Sequence, residues 1–371
     1  MTSRVRGGLL GVCLGMGVVA GCGPSSGPPA ATGAWHAALG PGESPEAPGS
    51  VPVQVPHLRG GVAVAAGYAH ALAVLKDTTV WAWGGNAEGQ LGDGTHLPHA
   101  EPVQVPGLSG VGAVAAGGLH SLAVRADGTV WAWGNNQHGR LGDGSLTPRA
   151  TPVRVRELSG AVAVAAGSAH SLALRADGTV WAWGFNAFGQ LGDGTLSNRA
   201  TPVRVQGLRD VVAVAAGGLH SLALRADGTV WVWGYDASRQ GATGRPSVPE
   251  RVPGLSEAVA VGAGLWLSRV VRADGTVWTL GAGPRPVPVP GLGQVVAVAG
   301  GGLHALAVRA NGTVWAWEDG GEEAGLPVPG LDRVVTVAEG IDHALAVRRD
   351  GTVWAWTPPA GMAPPGGLPL P

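Results

Sequence analysis

Charged side chains are scarce in this 371-residue sequence: they make up 13% of the residues, and the formal net charge is −1 at pH 7. Proteins that bind nucleic acid carry clustered basic residues. This balance therefore gives no reason to expect a nucleic-acid partner. Hydrophobic residues make up 45% of the sequence, which argues against a disordered chain.

Cysteine is rarer still, with two residues in all, and the first of them lies in an N-terminal apolar stretch. Arg4 and Arg6 precede this stretch, which covers residues 9–20 and is too short to span a bilayer, since a spanning helix needs about 20 residues. A short apolar core behind positive charges is typical of a secretory signal peptide. We therefore predict that residues 1–21 are a signal peptide and take no part in the fold.

The end of this segment, Val-Ala-Gly-Cys22, resembles the cleavage box of bacterial lipoproteins. The resemblance implies that Cys22 is lipidated and becomes the first residue of the mature chain. The alternative is an ordinary signal peptide followed by a cysteine by chance. Because Cys13 would leave with the signal peptide, no disulfide could form within the mature chain. That chain would hold 22 basic and 25 acidic residues, a net charge of −3.

Phenylalanine and tyrosine occur only twice each, whereas tryptophan occurs 15 times. Most tryptophans are periodic, because a segment that ends in Asp-Gly-Thr-Val-Trp or a close variant recurs seven times. The tryptophans that mark the seven copies are Trp81, Trp131, Trp181, Trp231, Trp278, Trp315 and Trp354. Self-similarity at a period of this size indicates a repeat architecture.

Each copy predicts four short strands. The run Ala-Val-Ala-Val-Ala-Ala is typical of a buried strand, and His-Ser-Leu-Ala-Leu-Arg follows as the second. Asp-Gly supplies the hairpin turn, and Val-Trp-Ala-Trp is the third strand. Pro-Val-Arg-Val is the fourth, where proline fits a sheet edge. Seven such units predict an all-β fold over residues 51–371, a seven-bladed β-propeller of four-stranded antiparallel blades.

The paired tryptophans of the third strands are expected to hold the blades together. Trp81 and Trp83 are two residues apart on one strand, so they point to the same side of the blade. Their bulk can then pack on the small residues of the neighbouring blade. We expect these indoles to be structural.

The two ends of the chain offer alternative ways to close the ring. Residues 22–50 are rich in Pro, Gly, Ser and Ala and lack periodicity, which is typical of a flexible tether. Residues 51–56 have the pattern of a fourth strand and are expected to complete the seventh blade, whose own three strands end at Trp356. Residues 368–371 are the alternative closing strand, but they alternate less well and contain more proline.

Over residues 51–356 the chain resembles the regulator of chromosome condensation repeat family. The resemblance rests on Gly-x-x-His-Ser-Leu-Ala, Asp-Gly-Thr-Val-Trp-Ala-Trp-Gly and Gly-Gln-Leu-Gly-Asp-Gly, which recur in register. It implies the propeller fold but leaves the function open. The eukaryotic founder is a nucleotide exchange factor for a small nuclear GTPase, and related bacterial propellers include a secreted inhibitor that caps β-lactamases. Since fold does not fix function, the site has to be argued separately.

Six copies carry a histidine at the start of the second strand, namely His70, His120, His170, His220, His304 and His343, and the fifth copy has Leu267 instead. A ring of imidazoles invites a metal site. Strand spacing, however, places adjacent histidines of such a ring roughly 9 Å apart, whereas zinc needs each nitrogen at about 2 Å. We therefore expect structural histidines that bond backbone groups, and no metal.

Three other polar groups are expected to be structural, and no catalytic set or cofactor motif stands out. The Arg-Ala-Asp-Gly turns predict a solvated rim made of Arg125, Arg175, Arg225 and Arg272 with Asp127, Asp177, Asp227 and Asp274. The Leu-Gly-Asp-Gly loops contain Asp93, Asp143 and Asp193, which lack the ligand density of a calcium loop and should bond their own backbone. An acidic cluster of Glu318, Asp319, Glu322 and Glu323 predicts a solvated loop.

Positions that differ between the copies are free to serve a partner, and the rare aromatic residues occupy such positions. With one additional tryptophan they are Tyr68, Phe185, Phe188, Tyr235 and Trp266. All five follow a first or a third strand, and a four-strand meander sends both connections to the same end of the blade. Because aromatic residues are enriched where proteins bind proteins, we predict that these five form a partner-binding face. The alternative is that they fill gaps over the blades.

The sequence as a whole favours an exported, monomeric cell-envelope protein that is anchored to the membrane through lipid on Cys22. It would bind an envelope or extracellular protein, or a glycan, through the aromatic face without catalysis or cofactor. Two alternatives stay open. One is an envelope enzyme with its site at the central funnel of that face, and the other is an exchange factor of the founder's type, which would require a cytoplasmic chain.

Overall fold

In a computed structural model, every regular element of the described residues is a β-strand. The described residues are 51–235, 247–281, 285–302, 304–318 and 325–358. Their 28 strands form seven four-stranded sheets, which confirms the predicted all-β, seven-bladed propeller. Within these ranges no helix has the length and hydropathy to cross a membrane.

Several sequence predictions fall outside the described residues. They are the signal peptide over residues 1–21, the tether with Cys22, residues 368–371, and three of the four acidic residues of the predicted cluster. These remain predictions.

Blades one to four follow the predicted strand order along the chain. Blade one consists of β2 (Gly61–Ala66), β3 (His70–Leu75), β4 (Val80–Gly84) and β5 (His99–Gln104). Blade two consists of β6 (Val111–Ala116), β7 (His120–Arg125), β8 (Val130–Gly134) and β9 (Arg149–Arg154). Blade three consists of β10 (Ala161–Ala166), β11 (His170–Arg175), β12 (Val180–Gly184) and β13 (Arg199–Arg204). Blade four consists of β14 (Val211–Ala216), β15 (His220–Arg225), β16 (Val230–Gly234) and β17 (Glu250–Arg251).

Blades five to seven have fourth strands of only two residues. Blade five consists of β18 (Ala258–Ala263), β19 (Ser268–Arg272), β20 (Val277–Leu280) and β21 (Val287–Pro288). Blade six consists of β22 (Val295–Gly300), β23 (His304–Arg309), β24 (Val314–Glu318) and β25 (Leu326–Pro327). Blade seven consists of β26 (Val334–Glu339), β27 (Ala344–Arg348), β28 (Val353–Trp356) and the N-terminal β1 (Val53–Gln54).

The ring is closed by the N-terminal strand. Val53 pairs with Ala355 and Gln54 with Trp354 in antiparallel register, so β1 is the fourth strand of blade seven. The expectation that residues 51–56 complete this blade is therefore confirmed. The first strands of successive blades contact one another all the way round, and β26 of blade seven contacts β2 of blade one.

The second tryptophan of each pair forms the wedge between blades. Trp133 and Trp183 are fully buried, and each packs against the preceding blade: Trp133 shares a hydrophobic cluster with Leu72 and Val80 of blade one. The indole nitrogen of Trp133 also donates a hydrogen bond of 2.8 Å to the carbonyl oxygen of Gln90 in that blade. These contacts support the structural role predicted for the paired indoles.

The histidines that begin the second strands link neighbouring blades. His70 Nε2 lies 2.9 Å from the Ser121 hydroxyl of the next blade, and the same His–Ser contact joins the next three junctions at 2.7–2.9 Å. The sequence predicted backbone partners for these rings, which is wrong for His70, His120 and His170, whose Nε2 contacts a serine and whose Nδ1 has no hydrogen-bond partner among the described residues. A single copy of the repeat does not show the partner, because the serine belongs to the next copy, 51 residues away from His70 in the chain.

The burial of these histidines sets their charge, and it also leaves no room for a side chain on the glycine of the Gly-x-x-His motif. Loss of solvation lowers the pKa of both His70 and His170 to about 3, so the rings are neutral near pH 7. Gly167 of the Gly-x-x-His motif has no room for a side chain, since a Cβ there would lie 2.3 Å from His170 Cε1 and 2.6 Å from the Gly217 carbonyl oxygen.

Blade six is flanked by a buried arginine and a buried carboxylic acid that break the repeat pattern. Arg269 of blade five stands where other second strands have leucine, and Glu339 of blade seven stands where most first strands end in alanine. Both side chains are almost fully buried, at 1% and 0% exposure. Burial lowers the pKa of Arg269 to about 10 and raises the pKa of Glu339 to about 8, and each charge partly offsets the shift of the other.

A glycine that follows the first strand of blade six leaves space for the Glu339 side chain. A Cβ on Gly301 would lie 2.6 Å from Glu339 Cγ, so only glycine fits beside the Glu339 side chain. Among the described residues, neither carboxylate oxygen of Glu339 has a hydrogen-bond partner. The acid is therefore held in the core by packing, while the charge of Arg269 only reduces the cost of ionising it.

Candidate binding face

The connections that follow the first and third strands lie at one end of the ring, which we call the aromatic face. Cross-strand pairs show this directly: in blade three, His170 pairs with Gly184 and Ser171 pairs with Ala166. The start of the second strand thus lies beside the ends of both the first and the third. The Asp-Gly turns and the connections between blades lie at the opposite end.

Five rings on the aromatic face form one continuous row, which we call the aromatic arc. Its members, in spatial order, are His138, Phe185, Phe188, Tyr235 and Trp266. Successive ring centroids are 4.8, 6.2, 5.5 and 6.1 Å apart, with interplanar angles of 42°, 64°, 84° and 68°. Most of these contacts are edge-to-face, the arrangement that the quadrupoles of aromatic rings favour. The arc crosses blades two to five.

Backbone hydrogen bonds fix where the arc residues leave their strands. The Phe185 N–H donates to the Ala169 carbonyl at 2.9 Å, and the Tyr235 N–H donates to the Leu219 carbonyl at 2.9 Å. The Phe188 N–H donates to the side-chain oxygen of Gln190 at 3.0 Å. The two strand-end positions are thus set by the sheet, and Phe188 is set by the loop that follows it.

A buried asparagine braces that loop. Asn186 is fully buried, and its Nδ2 donates to the carbonyl oxygens of Thr195 and Ser197 at 3.1 and 3.0 Å. Its Oδ1 accepts a hydrogen bond of 2.9 Å from the Leu191 N–H. Asn86 and Asn136 make the same contacts in blades one and two. Each long loop is thereby folded back on itself as a rigid unit.

The aspartates of the Leu-Gly-Asp-Gly loops complete the brace. Asp193 Oδ1 accepts a hydrogen bond of 3.0 Å from the Thr195 N–H, and Arg199 forms an ion pair with Oδ2 at 2.8 Å. Burial by itself raises the pKa of the Asp193 carboxyl, but the Thr195 and Arg199 contacts outweigh it and hold the pKa below its usual value. Asp93 and Asp143 accept the equivalent backbone hydrogen bonds, so the predicted turn-forming role is confirmed for all three.

Each braced loop is also anchored to the next blade. The Gln190 carbonyl oxygen accepts hydrogen bonds of 2.8 Å from the Trp233 indole and from the Ser221 hydroxyl of blade four. Gly192 has a positive φ of 65°, and a Cβ there would lie 2.8 Å from the indole nitrogen of Trp233. The loop that carries Phe188 is therefore attached to blade four at Gln190 and Gly192.

Four of the five predicted binding residues meet in the arc. Tyr68 follows the first strand of blade one at the same end of the ring, and the four ring contacts that define the arc among the described residues join other side chains. Sequence comparison missed His138, although a signal was present: its position in the loop holds Glu88 in blade one and Phe188 in blade three. Variation between copies would have included His138, but the criterion was applied only to the phenyl, phenol and indole side chains.

The arc and its surroundings are apolar and carry amide groups. All five rings are half-buried, so each keeps part of its surface open to solvent. Leu146 and Leu196, on the same two loops, are 64% and 50% exposed. Asn198 Nδ2 lies 3.4 Å from His138 Nδ1. The aspartates of these loops are already paired with arginines, so the described part of this surface offers mainly apolar and amide groups.

The opposite end of the ring has a different chemistry. Asp127 Oδ1 accepts a hydrogen bond of 2.6 Å from the Thr129 hydroxyl, and the Trp131 indole donates to that hydroxyl at 3.2 Å. The Arg125 guanidinium lies 5.6 Å from the Trp131 ring centre. The aspartates of the predicted rim are exposed as expected, whereas its arginines are half-buried and stack on the outer tryptophans. A shallow groove of about 630 Å³ lies there, lined by Arg204, Arg209 and Trp231 among others.

In the part of the chain that the structure describes, no group of three His, Cys, Asp or Glu side chains could hold a metal ion. Asp93, Asp143 and Asp193 brace the loops of the aromatic face, and the histidines of the second strands are buried behind it. The arrangement can bind a partner, and it can do so with a preformed surface.

Comparison with known proteins agrees with this architecture. The family model for the RCC1-like domain matches residues 33–285. No protein among the curated sequences matches the chain significantly.

Among solved structures, human WBSCR16 is similar with a TM-score of 0.71 and 24% identity, covering 83% of this chain and 89% of that one. Prp20p from Saccharomyces cerevisiae, described with its binding properties to Gsp1p and histones, gives a TM-score of 0.62 and 24% identity, covering 81% of this chain and 83% of its own. The CRINKLY WD40 ectodomain of the Arabidopsis thaliana receptor kinase ACR4 gives 0.52 and 16% identity, covering 81% and 98%. At these identities the likeness concerns the fold.

Proposed function

Because the chain belongs to the RCC1-like domain family, whose propellers commonly mediate protein binding, we propose that it is a non-catalytic module that holds a partner protein against the aromatic arc. The observation that carries the proposal is the unbroken row of five half-exposed rings across four blades. Rings that merely filled gaps would have no reason to line up from blade to blade.

Rigidity supports this role. A surface that is already ordered loses little conformational entropy when it binds, so more of the contact energy appears as affinity. Asn186 and the Gln190 carbonyl hold the central loop of the arc from inside the ring. Aromatic anchors in such a setting typically contribute about 2 kcal/mol or more each, which is about 30-fold in affinity.

We also propose that the propeller works in the cell envelope, anchored by lipid on Cys22. The chain direction gives this proposal a geometric consequence. Third strands run towards the aromatic face, and β1 is antiparallel to β28, so the chain enters the ring from the aromatic face. A lipid anchor upstream of residue 51 would therefore be connected to the ring at its aromatic face. The arc would then lie on the membrane side of the ring, within reach of partners at the membrane.

The binding proposal is tested by a pull-down from envelope extract with the parent protein and a Phe188→Ala/Trp266→Ala variant. We expect the double variant to lose its partners, while Leu97→Ala, which removes an exposed apolar side chain from the equivalent loop of blade one, keeps them. Thermal unfolding of all three proteins checks that the ring stays folded. Equal recovery of partners by parent and double variant would refute the arc as a binding surface. A partner that proves to be a glycan would refute the protein part of the proposal only.

The anchor is tested separately. Globomycin, which inhibits the lipoprotein signal peptidase, should cause an unprocessed precursor to accumulate, and Cys22→Ser should move the protein from the membrane to the soluble fraction. Processing that is insensitive to globomycin would contradict lipidation at Cys22 without touching the binding proposal.

A further inference from the structure

The groove at the end of the ring opposite to the arc has the chemistry of an anion site. We propose that it binds an acidic oligosaccharide, whose carboxylates are held by Arg204 and Arg209. The groove has a volume of about 630 Å³, which lies within the roughly 300–1,000 Å³ of pockets that hold small ligands. This inference concerns a second site, and it does not depend on the proposed function of the arc.

The connection between blades three and four forms the groove. It links β13 to β14 and lies beside Trp231. Its residues Val205 and Leu208 are buried and attach it to the core. The Arg209 carbonyl oxygen accepts a hydrogen bond of 3.0 Å from Arg225 Nε. The walls of the groove are therefore in place before a ligand arrives, which reduces the entropy that binding costs.

Two of the three arginines that line the groove are open to a ligand. Arg225 is paired with Asp210 at 3.6 Å and with Asp227 at 3.4 Å, so its charge is already matched. The Arg209 side chain is 82% exposed, and its ion pair is with its chain neighbour Asp210 at 3.8 Å. Arg204 is exposed and forms no hydrogen bond or ion pair within the described residues. Because a guanidinium binds a carboxylate through two parallel hydrogen bonds, the groove can hold two acid groups.

The other lining residues suit a sugar. Gln206 Nε2 donates a hydrogen bond of 2.7 Å to the Asp193 carbonyl oxygen, which leaves the exposed Gln206 Oε1 to accept from a ligand hydroxyl. Trp231 is half-buried, so the open part of its ring offers apolar surface to the carbon–hydrogen face of a sugar. A Cβ on Gly207 would meet nothing within 4 Å, so there is space beside it. Together these groups favour an acidic sugar over an acidic peptide.

The arrangement is particular to this junction. In the corresponding connection between blades two and three, Arg154 takes the position of Arg204, but Glu157 and Ser159 take the positions of the glycine and of the second arginine. A carboxylate there would repel an anionic ligand, and one of the two guanidiniums is missing. Arg154 is therefore a matched control for Arg204, since each lies opposite the first tryptophan of its own blade.

The surrounding surface attracts anions. The connections between blades and the turns between second and third strands, with the strand residue at each of their ends, contain 15 Lys or Arg and 10 Asp or Glu. In the whole sequence these totals are 24 and 25. An excess of one charge on a surface raises the local concentration of oppositely charged ligands. This end of the ring therefore steers an acidic ligand towards the groove.

The test uses a tetrasaccharide of galacturonate and the chain that begins at residue 22, with Cys22→Ser to prevent lipidation. Isothermal titration calorimetry measures the dissociation constant. We expect Arg204→Gln and Arg209→Gln each to weaken binding roughly tenfold or more, the effect of losing one charge-assisted hydrogen bond, and Arg154→Gln to leave it unchanged. Maltotetraose, which has no charge, should not bind, and a tetraglutamate peptide should bind more weakly than the tetrasaccharide.

The outcomes separate this inference from the proposed function. The absence of binding to the acidic tetrasaccharide would overturn the site, and so would an equal loss in Arg154→Gln, because it would show a general attraction to the whole surface. A peptide that binds as tightly as the tetrasaccharide would overturn the ligand class. The Phe188→Ala/Trp266→Ala variant should bind the tetrasaccharide like the parent, and its pull-down decides independently whether the arc binds a partner protein.

Discussion

Glu339 is expected to make the protein less stable as the pH rises towards 8, and Glu339→Gln should remove this dependence. The side chain is fully buried beside Gly301, and burial raises its pKa to about 8 from an ordinary value of 4.5, with Arg269 opposing the shift. A group with a raised pKa in the folded state contributes stability fully below its unfolded pKa and loses it as the pH rises through the folded pKa. For Glu339 the window is therefore between about pH 4.5 and pH 8.

The size of the effect follows from the shift. At pH 7 the unfolded chain has already lost the Glu339 proton, whereas the folded chain keeps it. The distance of 2.5 pH units from 4.5 corresponds to about 3.5 kcal/mol at about 1.4 kcal/mol per unit, of which about 0.4 kcal/mol is already lost at pH 4.5, where the unfolded carboxyl is half-ionised. Burying the amide of the Glu339→Gln variant costs the same free energy at pH 4.5 and at pH 7, so it does not change how the difference grows with pH. The difference in unfolding free energy between Glu339→Gln and the parent should thus grow by about 3 kcal/mol from pH 4.5 to pH 7.

The assay is urea unfolding at intervals of half a pH unit between pH 4.5 and 8, followed by tryptophan fluorescence. Glu101→Gln, which removes a carboxylate from an exposed position on β5, is the matched control and should show no such growth. Arg269→Leu, which removes the compensating charge, should extend the pH dependence above pH 8. A difference between Glu339→Gln and the parent that is constant with pH would refute the reasoning, because it would mean that Glu339 titrates in the folded ring as it does in the unfolded chain.

The remaining predictions concern the contacts between blades. His170 is buried with a pKa of about 3, so its contribution to stability is complete above its unfolded pKa of 6.5 and is lost as the pH falls towards 3. Between pH 7 and pH 5 the unfolding free energy of the His170→Gln variant should therefore fall by about 2 kcal/mol less than that of the parent, measured by urea unfolding. Trp183→Ala should cost about 3–5 kcal/mol, measured in the same way, and a loss below 1 kcal/mol would contradict the wedge between blades. Gly167→Ala should yield little folded protein, judged by circular dichroism after purification, because its Cβ would meet both His170 and the next blade. Gly107→Ala is the control and should be milder. Its added Cβ would have no neighbour within 4 Å, although the position has a positive φ.

Much of the fold could be predicted because the information is local and repeated. Alternation, Asp-Gly turns and the Trp-x-Trp pairs each specify a strand or a hairpin within about ten residues, and seven copies reinforce one another. The N-terminal closing strand could be predicted for the same reason, since residues 51–56 have a fourth-strand pattern without a preceding blade. The turn-forming role of Asp193 was also predictable, because its partner, the Thr195 N–H, is two residues away.

Contacts between blades could not be predicted in the same way. His170 was expected to bond backbone and instead meets Ser221, which lies 51 residues further along the chain. His138 was missed as a member of the arc, because nothing in its own copy of the repeat shows that Phe185 of the next blade lies 4.8 Å away. The buried acid Glu339 was not singled out either, because its environment depends on Gly301 of the preceding blade and on Arg269 of the blade before that.

The sequence alone therefore determined the blade, the number of blades and the end of the ring on which the rare aromatic residues gather. Strand pattern and turn chemistry act over a few residues, and a meander has only two ends. Only the tertiary structure decided which of those residues touch, what each buried histidine bonds, and that an arginine and a carboxylic acid share the core around blade six. Those contacts depend on the angle and spacing at which closed blades meet, and side chains that are about 50 residues apart in the chain become neighbours only when the ring closes.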